Sequence, residues 1–229
     1  MATTGFGGKT DHFSFATTDL ILQESSKVPR APNEANALDA NGDVAKTELY
    51  GNDAGTIYDA SCTYLLKSGT LDLSTLSVGE LSTGVFAGSI AVDTSNGDWP
   101  KITVSGALGY AAFQAPTGKT AKAALPAITL VGGKFAQLMG FTVAGGALNG
   151  CSISATCETA EATDGEGEPV AYAASFPNAQ VTANGVYTSA AFAWAVTAPG
   201  IGLVEKQPES TVEPQAAWQT STATGYIPM

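Results

Sequence analysis

Side chains that could carry out catalysis are few in this chain, and they do not cluster. His12 is the only histidine, so a serine or cysteine nucleophile activated by a histidine base would have to use it. Gly-Lys-Thr occurs at 8–10 and at 118–120, as in a phosphate-binding loop. The first glycine of that loop is replaced by Thr3 and by Phe113. The sequence therefore predicts no catalytic site, no nucleotide cofactor and no enzyme.

Metal ligands are equally sparse. Cys151 and Cys157 have no histidine near them in sequence, so the short Cys and His spacings of a zinc site are missing. Residues 39–43 carry alternating Asp and Asn, but the glycine of a calcium loop is misplaced and its final glutamate is missing. We predict no metal site. A weak calcium site at 164–168 and a carboxylate pair for glycoside hydrolysis remain alternatives.

The charge of the chain is acidic, and charged residues are scarce. Its 229 residues include 10 basic and 21 acidic ones, which gives a net charge of −11, and Arg30 is the only arginine. Nucleic acids are bound largely through Lys and Arg, so this balance argues against a sequence-reading DNA or RNA binder. Surfaces poor in Lys and Glu are typical of interfaces. We expect a homo-oligomer, with a Ser- and Thr-covered monomer as the alternative.

Targeting signals and disulfides are not expected. The N-terminus lacks a basic region followed by an apolar one, and no run approaches the roughly 18 apolar residues of a membrane span. We therefore expect synthesis in a cytoplasm and no membrane partner. Cys151 and Cys157, on one predicted strand, would lie roughly 20 Å apart. That distance is too long for a disulfide, so we predict buried free thiols there and at Cys62.

The elements that position these residues are strands. Apolar and polar residues alternate over three stretches, as in strands with one buried face. The apolar members are Tyr58, Ala60, Cys62, Tyr64 and Leu66; Ile102 and Val104; and Cys151, Ile153, Ala155 and Cys157. Asn-Gly pairs beginning at residues 41, 96, 149 and 184 favour hairpin turns. The sequence predicts an all-β fold: an antiparallel β-sandwich or barrel with long loops, extended terminal arms and at most one short helix, at 134–140.

The predicted organisation is one domain between two arms. We assign residues 1–11 to a flexible N-terminal arm, 12–205 to the β-sandwich domain and 206–229 to a C-terminal arm. Residues 27–41 are predicted to form a long connection. Strands are expected near residues 43–50, 56–66, 84–92, 100–106, 109–113, 127–131, 135–144, 147–158, 170–175, 179–183, 187–197 and 201–205.

Two polar segments are candidates for contacts with other subunits. Residues 158–168 are interpreted as a long exposed hairpin loop, because five acidic side chains fall between two predicted strands. These are Glu158, Glu161, Asp164, Glu166 and Glu168. In the polar C-terminal arm, Trp218, Tyr226 and Ile227 are predicted to anchor the arm on a neighbouring subunit. A frayed terminus is the alternative.

Two patches of this sequence resemble structural proteins of tailed-bacteriophage virions, and tail-tube proteins most closely. The first runs from Leu38-Asp39-Ala40-Asn41-Gly42-Asp43-Val44 to Ala60-Ser61-Cys62-Thr63-Tyr64. The second runs from Gly150-Cys151-Ser152-Ile153-Ser154-Ala155-Thr156 to Gly167-Glu168-Pro169-Val170-Ala171-Tyr172.

The resemblance implies a non-enzymatic virion protein whose β-sandwich subunits stack as hexameric rings around an acidic, DNA-conducting channel. It also implies one long stacking loop, for which 27–41 is the candidate, and terminal arms that reach neighbouring subunits. The loop at 158–168 would line the channel or lie between rings. The implied partners are further copies of the chain, other virion proteins, and DNA that passes without specific binding.

Other roles remain open. A length of 229 residues exceeds a minimal tube subunit, which leaves a capsid decoration or head–tail joining protein as alternatives. A carbohydrate-binding β-sandwich is another, with stacking rings drawn from Trp99, Tyr110, Tyr187 and Trp194. A hydrolase that uses paired carboxylates is the third.

Overall fold

The fold is given by a computed structural model that describes residues 9–31, 33–50, 57–95, 97–109, 121–133, 146–163, 169–187, 204–205, 209–211, 219–227 and 229. Over these residues the chain is all-β and its strand pairs are antiparallel, which confirms the predicted fold class. The helical content of the described residues is one 3₁₀ turn, Leu73–Thr75, and no helix among them is long and apolar enough to span a membrane.

Seventeen strands form within the described residues. In chain order they are β1 (Leu20–Pro29), β2 (Asn33–Leu38), β3 (Val44–Tyr50), β4 (Tyr58–Leu66), β5 (Thr70–Asp72), β6 (Ser77–Ser82), β7 (Val85–Ser95), β8 (Lys101–Leu108), β9 (Lys122–Ala124), β10 (Thr129–Val131), β11 (Gly146–Thr156), β12 (Glu158–Thr163), β13 (Pro169–Ser175), β14 (Ala179–Tyr187), β15 (Val204–Glu205), β16 (Glu209–Thr211) and β17 (Gln219–Ile227).

Most of these strands belong to one sheet. Its neighbours follow the order β1-β4-β8-β7-β11-β14-β17-β15, while β16 also pairs with β17. A branch leaves β7, where β6 pairs with its first residues and β9 pairs with β6. Three two-stranded ribbons complete the described fold: β2 with β3, β5 with β10, and β12 with β13.

The core lies on one face of the main sheet. The alternating stretches predicted from sequence fall on β4, β8 and β11, and their apolar side chains face the core. One buried row crosses five strands in register: Tyr64, Ile102, Val92, Ile153 and Val181. Leucines of the β5 and β10 region, such as Leu73 and Leu130, belong to the same core. Burying one parity of each strand fixes the register, because a one-residue slip would expose the whole row.

Cysteine placement agrees with the prediction at two of three positions. Cys62 and Cys151 are buried free thiols in the core, and Cys157 is also free. Cys157 is only half-buried, since it follows β11 at the point where the chain leaves the main sheet for β12.

The predicted long connection at 27–41 is wrong. Strand β1 continues to Pro29, and β2 then pairs with β3 as a ribbon. Pro29 is tolerated because β1 is the first strand in the sheet order, where one side of the backbone needs no ladder partner. The ribbon closes through a turn at Asn41-Gly42, where Gly42 has a φ of +86°. This turn was predicted from sequence.

Two of the four predicted Asn-Gly turns are wrong. Asn149-Gly150 lies inside β11 and Asn184-Gly185 inside β14, and the two pairs face each other across the sheet. The ladder shifts register between Leu148 and Gly150, so the chain uses this pair for a β-bulge. Glycine suits the bulge because an added Cβ at Gly150 would lie 3.0 Å from the Thr94 carbonyl oxygen.

The C-terminal arm is corrected over part of its length. β17 pairs with β14 along nine residues, so Gln219–Ile227 belongs to the main sheet and not to an arm. The sheet therefore extends beyond the predicted limit at 205. The predicted helix at 134–140 and the strand expected near 135–144 lie outside the described residues, as do most residues of the strands expected near 109–113 and 187–197.

Candidate assembly interface

The ribbon of β2 and β3 contains the longest run of exposed residues in the described part of the chain. Its strands pair only with each other, and every residue from 36 to 47 is exposed. Leu38 and Val44, directly opposite each other across the ribbon, are 61% and 57% exposed. We call this pair, with the turn between them, the ribbon tip.

The tip has a defined shape despite its exposure. The Asp39 side chain accepts hydrogen bonds from the backbone N–H groups of Asn41 at 2.8 Å and Asp43 at 3.0 Å. The Asp39 backbone N–H donates to the Asp43 carbonyl at 2.8 Å. Asx turns of this kind fix a short loop without a core beneath it. The apolar pair is therefore held at the end of a structured ribbon.

An isolated two-stranded ribbon in water is only marginally stable. Burial of its apolar side chains against another surface would stabilise it, at roughly 25 cal/mol per Å² of apolar area removed from water. Leu38 and Val44 would gain this stabilisation if another surface covered them.

A groove lies over the polar face of the main sheet, close to where the ribbon begins. Ser26, Ser61, Ser105 and Ser89 stand in register on β1, β4, β8 and β7, and they line its floor. The groove has a volume of about 600 Å³.

The remaining groove walls are part apolar and part charged. Val28, which is 59% exposed, lines one wall, and Cys157 lines another. Arg30 donates to Asp59 Oδ1 at 2.6 Å in an exposed ion pair, so the groove lining has no net charge. Burial raises the pKa of the Cys157 thiol to about 11, with the nearby Glu158 carboxylate contributing.

The predicted acidic loop is partly a second ribbon. Glu158 and Glu161 lie on β12, which pairs with β13, so the prediction of a loop is wrong for these two residues. Strand pairing there uses residues such as Ala160 and Ala173. Glu158 is exposed, and its Oε2 accepts a long 3.5 Å hydrogen bond from Ser175. Asp164, Glu166 and Glu168 lie outside the described residues.

Of the three predicted anchors of the C-terminal arm, the structure describes two, Tyr226 and Ile227. Ile227 is 1% exposed in the core of its own sheet, so its assignment as an anchor on a neighbour is wrong. Tyr226 is half-buried on β17, opposite Gln180 of β14. Trp218 lies outside the described residues. The sheet pattern of residues 219–227 is weak in sequence because Ser and Thr dominate it, which is why the strand was not predicted.

A buried polar cluster near the N-terminus was not predicted from sequence. Asp11, only 3% exposed, accepts hydrogen bonds from the backbone N–H groups of Phe13, Ser14 and Ala16 at 3.2, 2.9 and 2.7 Å. Tyr64, on β4, donates its hydroxyl to the same carboxylate at 2.5 Å. Thr10 donates its backbone N–H to Ser25 Oγ at 3.1 Å, and Lys9 donates to the Gln23 carbonyl, so both residues also contact β1. The flexible arm predicted for 1–11 is therefore wrong for residues 9–11, and residues 1–8 lie outside the described residues.

This cluster has a structural role. Burial raises the pKa of the Tyr64 hydroxyl above its usual range, and the bond to Asp11 acts in the same direction. Burial also raises the pKa of Cys62, which donates weakly to the Thr10 carbonyl at 3.7 Å. Burial lowers the pKa of His12, with Lys27 adding to the effect. The hydrogen bonds from Tyr64 to Asp11 and from Cys62 to Thr10 hold the N-terminal segment against β4.

Metal and ligand candidates are few in the described part of the chain. It contains no group of three or more His, Cys, Asp or Glu side chains placed to hold a metal ion. Of the four aromatic side chains considered for carbohydrate stacking, Trp99 is described, and it is half-buried. Trp194 and Tyr110 lie outside the described residues, and for Tyr187 only the backbone is described.

No protein-family model matches the chain, and no curated protein matches its sequence.

Proposed function

We propose that this chain is a non-enzymatic structural subunit that assembles with copies of itself, and that it forms the tail tube of a bacteriophage virion. The exposed ribbon tip is the observation that carries the proposal. A ribbon that buries none of its side chains from residue 36 to 47 costs stability in a free monomer and gains it in an assembly.

Two further features support assembly. The chain is poor in charged residues, at 14%, so few long charged side chains must be desolvated when subunits meet. The net charge of −11 per copy suits a channel that conducts DNA, because an acidic wall repels phosphates and does not retain them. Hexameric rings, other virion proteins as partners and a location in the virion belong to this proposal.

The ribbon tip is tested by substituting its apolar pair. Leu38→Asp and Val44→Asp each place a carboxylate where an interface would bury an apolar side chain. We expect each variant to fold, because both side chains are exposed, and to assemble at least tenfold less readily by light scattering. Thr129→Asp is the matched control, since Thr129 is an exposed strand residue on β10. Assembly of both tip variants at the wild-type concentration would contradict a role for the tip.

The form of the assembled particle separates the proposed role from its alternatives. Rings or tubes with a central hole, seen by negative-stain electron microscopy, support a tube subunit. Compact trimers support a capsid decoration protein, and single rings that do not stack support a head–tail joining protein.

A further inference from the structure

We infer that Asn41, in the turn of the ribbon tip, is a site of spontaneous deamidation. In this modification the chain converts its own asparagine side chain to a carboxylate, with water as the other reactant and without an enzyme. The inference does not depend on the proposed self-assembly.

The reaction proceeds through a five-membered imide ring formed by Asn41 and Gly42. The Gly42 backbone nitrogen loses its proton to water and bonds to Asn41 Cγ, and the side-chain nitrogen takes up a proton and leaves as ammonia. Water then adds at one of the two ring carbonyls. Cleavage of the new bond at Cγ gives aspartate, and cleavage of the original peptide bond gives isoaspartate. Glycine favours ring closure because it has no Cβ beside the attacking nitrogen.

The structure distinguishes Asn41 from the other Asn-Gly pairs that it describes. In the pairs beginning at residues 149 and 184, the attacking nitrogens would be those of Gly150 and Gly185. Each of these glycines lies in the main sheet with a partner residue on both sides. The partners are Ser95 and Asn184 for Gly150, and Leu148 and Ser221 for Gly185. A residue held from both sides reaches the geometry of ring closure only when the ladder around it opens. The fourth pair begins at Asn96, which lies outside the described residues.

The ribbon tip holds Asn41 and Gly42 far less firmly. Both residues are exposed, and a Cβ added at Gly42 would have no atom within 4 Å apart from its chain neighbours. The Gly42 N–H donates to the Asp39 carbonyl at 3.1 Å, a longer bond than the 2.8 Å one from the Asp39 N–H to the Asp43 carbonyl. The ribbon pairs only with itself, and an isolated two-stranded ribbon is marginally stable in water. A small local opening therefore releases the Gly42 nitrogen, without any opening of the main sheet.

Deamidation changes both the charge and the shape of the tip. A carboxylate replaces a neutral amide between Asp39 and Asp43, so each event adds one negative charge to a chain of net charge −11. Isoaspartate also adds one carbon to the backbone between Ala40 and Gly42. The Asp39 side chain accepts hydrogen bonds from the N–H groups of Asn41 and Asp43, and the longer backbone moves these two donors apart. The turn of the ribbon therefore changes with the age of the molecule.

Site-resolved mass spectrometry tests the inference. The folded, full-length chain is incubated in neutral buffer and digested at intervals, and each asparagine is scored for conversion of its amide to a carboxylate. We expect position 41 to convert at least about tenfold faster than positions 149 and 184, since a barrier lower by about 1.4 kcal/mol raises a rate tenfold.

Two controls come from the same ribbon. Asn36 is also exposed but is followed by Ala37, whose Cβ hinders ring closure, so it should convert more slowly than Asn41. Asn41→Gln keeps an amide on a side chain one carbon longer, which cannot close the five-membered ring. In this variant the tryptic peptide of residues 31–46 should gain no carboxylate at position 41.

Unfolding in urea separates the effect of the fold from that of the sequence. The pairs beginning at 41, 149 and 184 should convert at similar rates in urea, because no ladder then protects the last two. In the folded protein, conversion of position 41 no faster than positions 149 and 184, or no faster than Asn36, would overturn the inference. A chain that deamidates at position 41 but remains monomeric at every concentration would overturn the proposed function and leave this inference standing.

Discussion

Removal of the Asp11 carboxylate should destabilise the fold far more than removal of an exposed aspartate. Asp11 is buried and accepts four hydrogen bonds, three from backbone N–H groups and one from Tyr64. Asp11→Ala leaves these four donors without their acceptor. At about 1 kcal/mol or more for each buried donor left unsatisfied, the expected loss is about 4 kcal/mol in the free energy of unfolding.

The bond between Asp11 and Tyr64 can be measured on its own. Tyr64→Phe removes a single donor to a charged acceptor, which costs about 1.5–3 kcal/mol. A double-mutant cycle with Asp11→Ala and Tyr64→Phe should show a coupling energy of similar size, because the two side chains share one contact. Urea denaturation followed by tryptophan fluorescence measures all four proteins.

Asp59→Ala is the matched control for this cycle. Asp59 is 60% exposed and pairs with Arg30 at the surface, so its removal should cost less than about 1 kcal/mol. If Asp11→Ala and Asp59→Ala destabilise the protein equally, or if the coupling between Asp11 and Tyr64 is below about 0.5 kcal/mol, Asp11 does not hold the N-terminal segment in place.

Two further predictions concern the core thiol Cys151 and the glycines of the sheet. Burial raises the pKa of Cys151 to about 12, whereas the unfolded thiol ionises near pH 9. Above pH 9 the unfolded state releases a proton that the folded state keeps, so the free energy of unfolding falls as pH rises. Between pH 8 and 10, Cys151→Ala should lose about 1.4 kcal/mol less of its free energy of unfolding than the wild type does, as measured by urea titration. Equal losses in the two proteins would refute this. Gly106→Ala should lower stability by about 2–3 kcal/mol, since the new Cβ would lie 1.9 Å from the Phe86 carbonyl oxygen. Gly88→Ala should leave stability nearly unchanged, because the nearest atoms to its new Cβ would lie at 3.5 Å. Thermal melts compare the two variants, and similar melting temperatures would contradict the close approach at Gly106.

The main sheet was predictable where its strands have one buried face. Tyr64, Ile102 and Ile153 belong to stretches in which apolar residues alternate with mostly polar ones, and this period of two is set locally by the pleat. β17 escaped prediction because its pairing with β14 is a tertiary contact, and its own sequence has few apolar residues. Alternation shows that a segment is a strand, but it does not show which strand becomes its neighbour.

The candidate interface was only partly predictable. The turn at Asn41-Gly42 marks a hairpin in the sequence. The residues around it, 36–47, are all exposed, so no buried apolar face marks the two strands. The groove could not be predicted, since Ser26, Ser61 and Ser89 come together only through strand register. The burial of Asp11 was not predicted either, since three of its donors are local backbone N–H groups but its one side-chain donor, Tyr64, is distant in sequence.

Self-assembly is the central claim, and particle mass tests it most directly. Light scattering of the purified chain over a range of concentrations, with negative-stain electron microscopy of the same samples, should show rings or tubes with a central hole. Assembly should strengthen with added salt, because salt screens the repulsion between copies of charge −11. A uniform monomer at every concentration and salt would contradict the account.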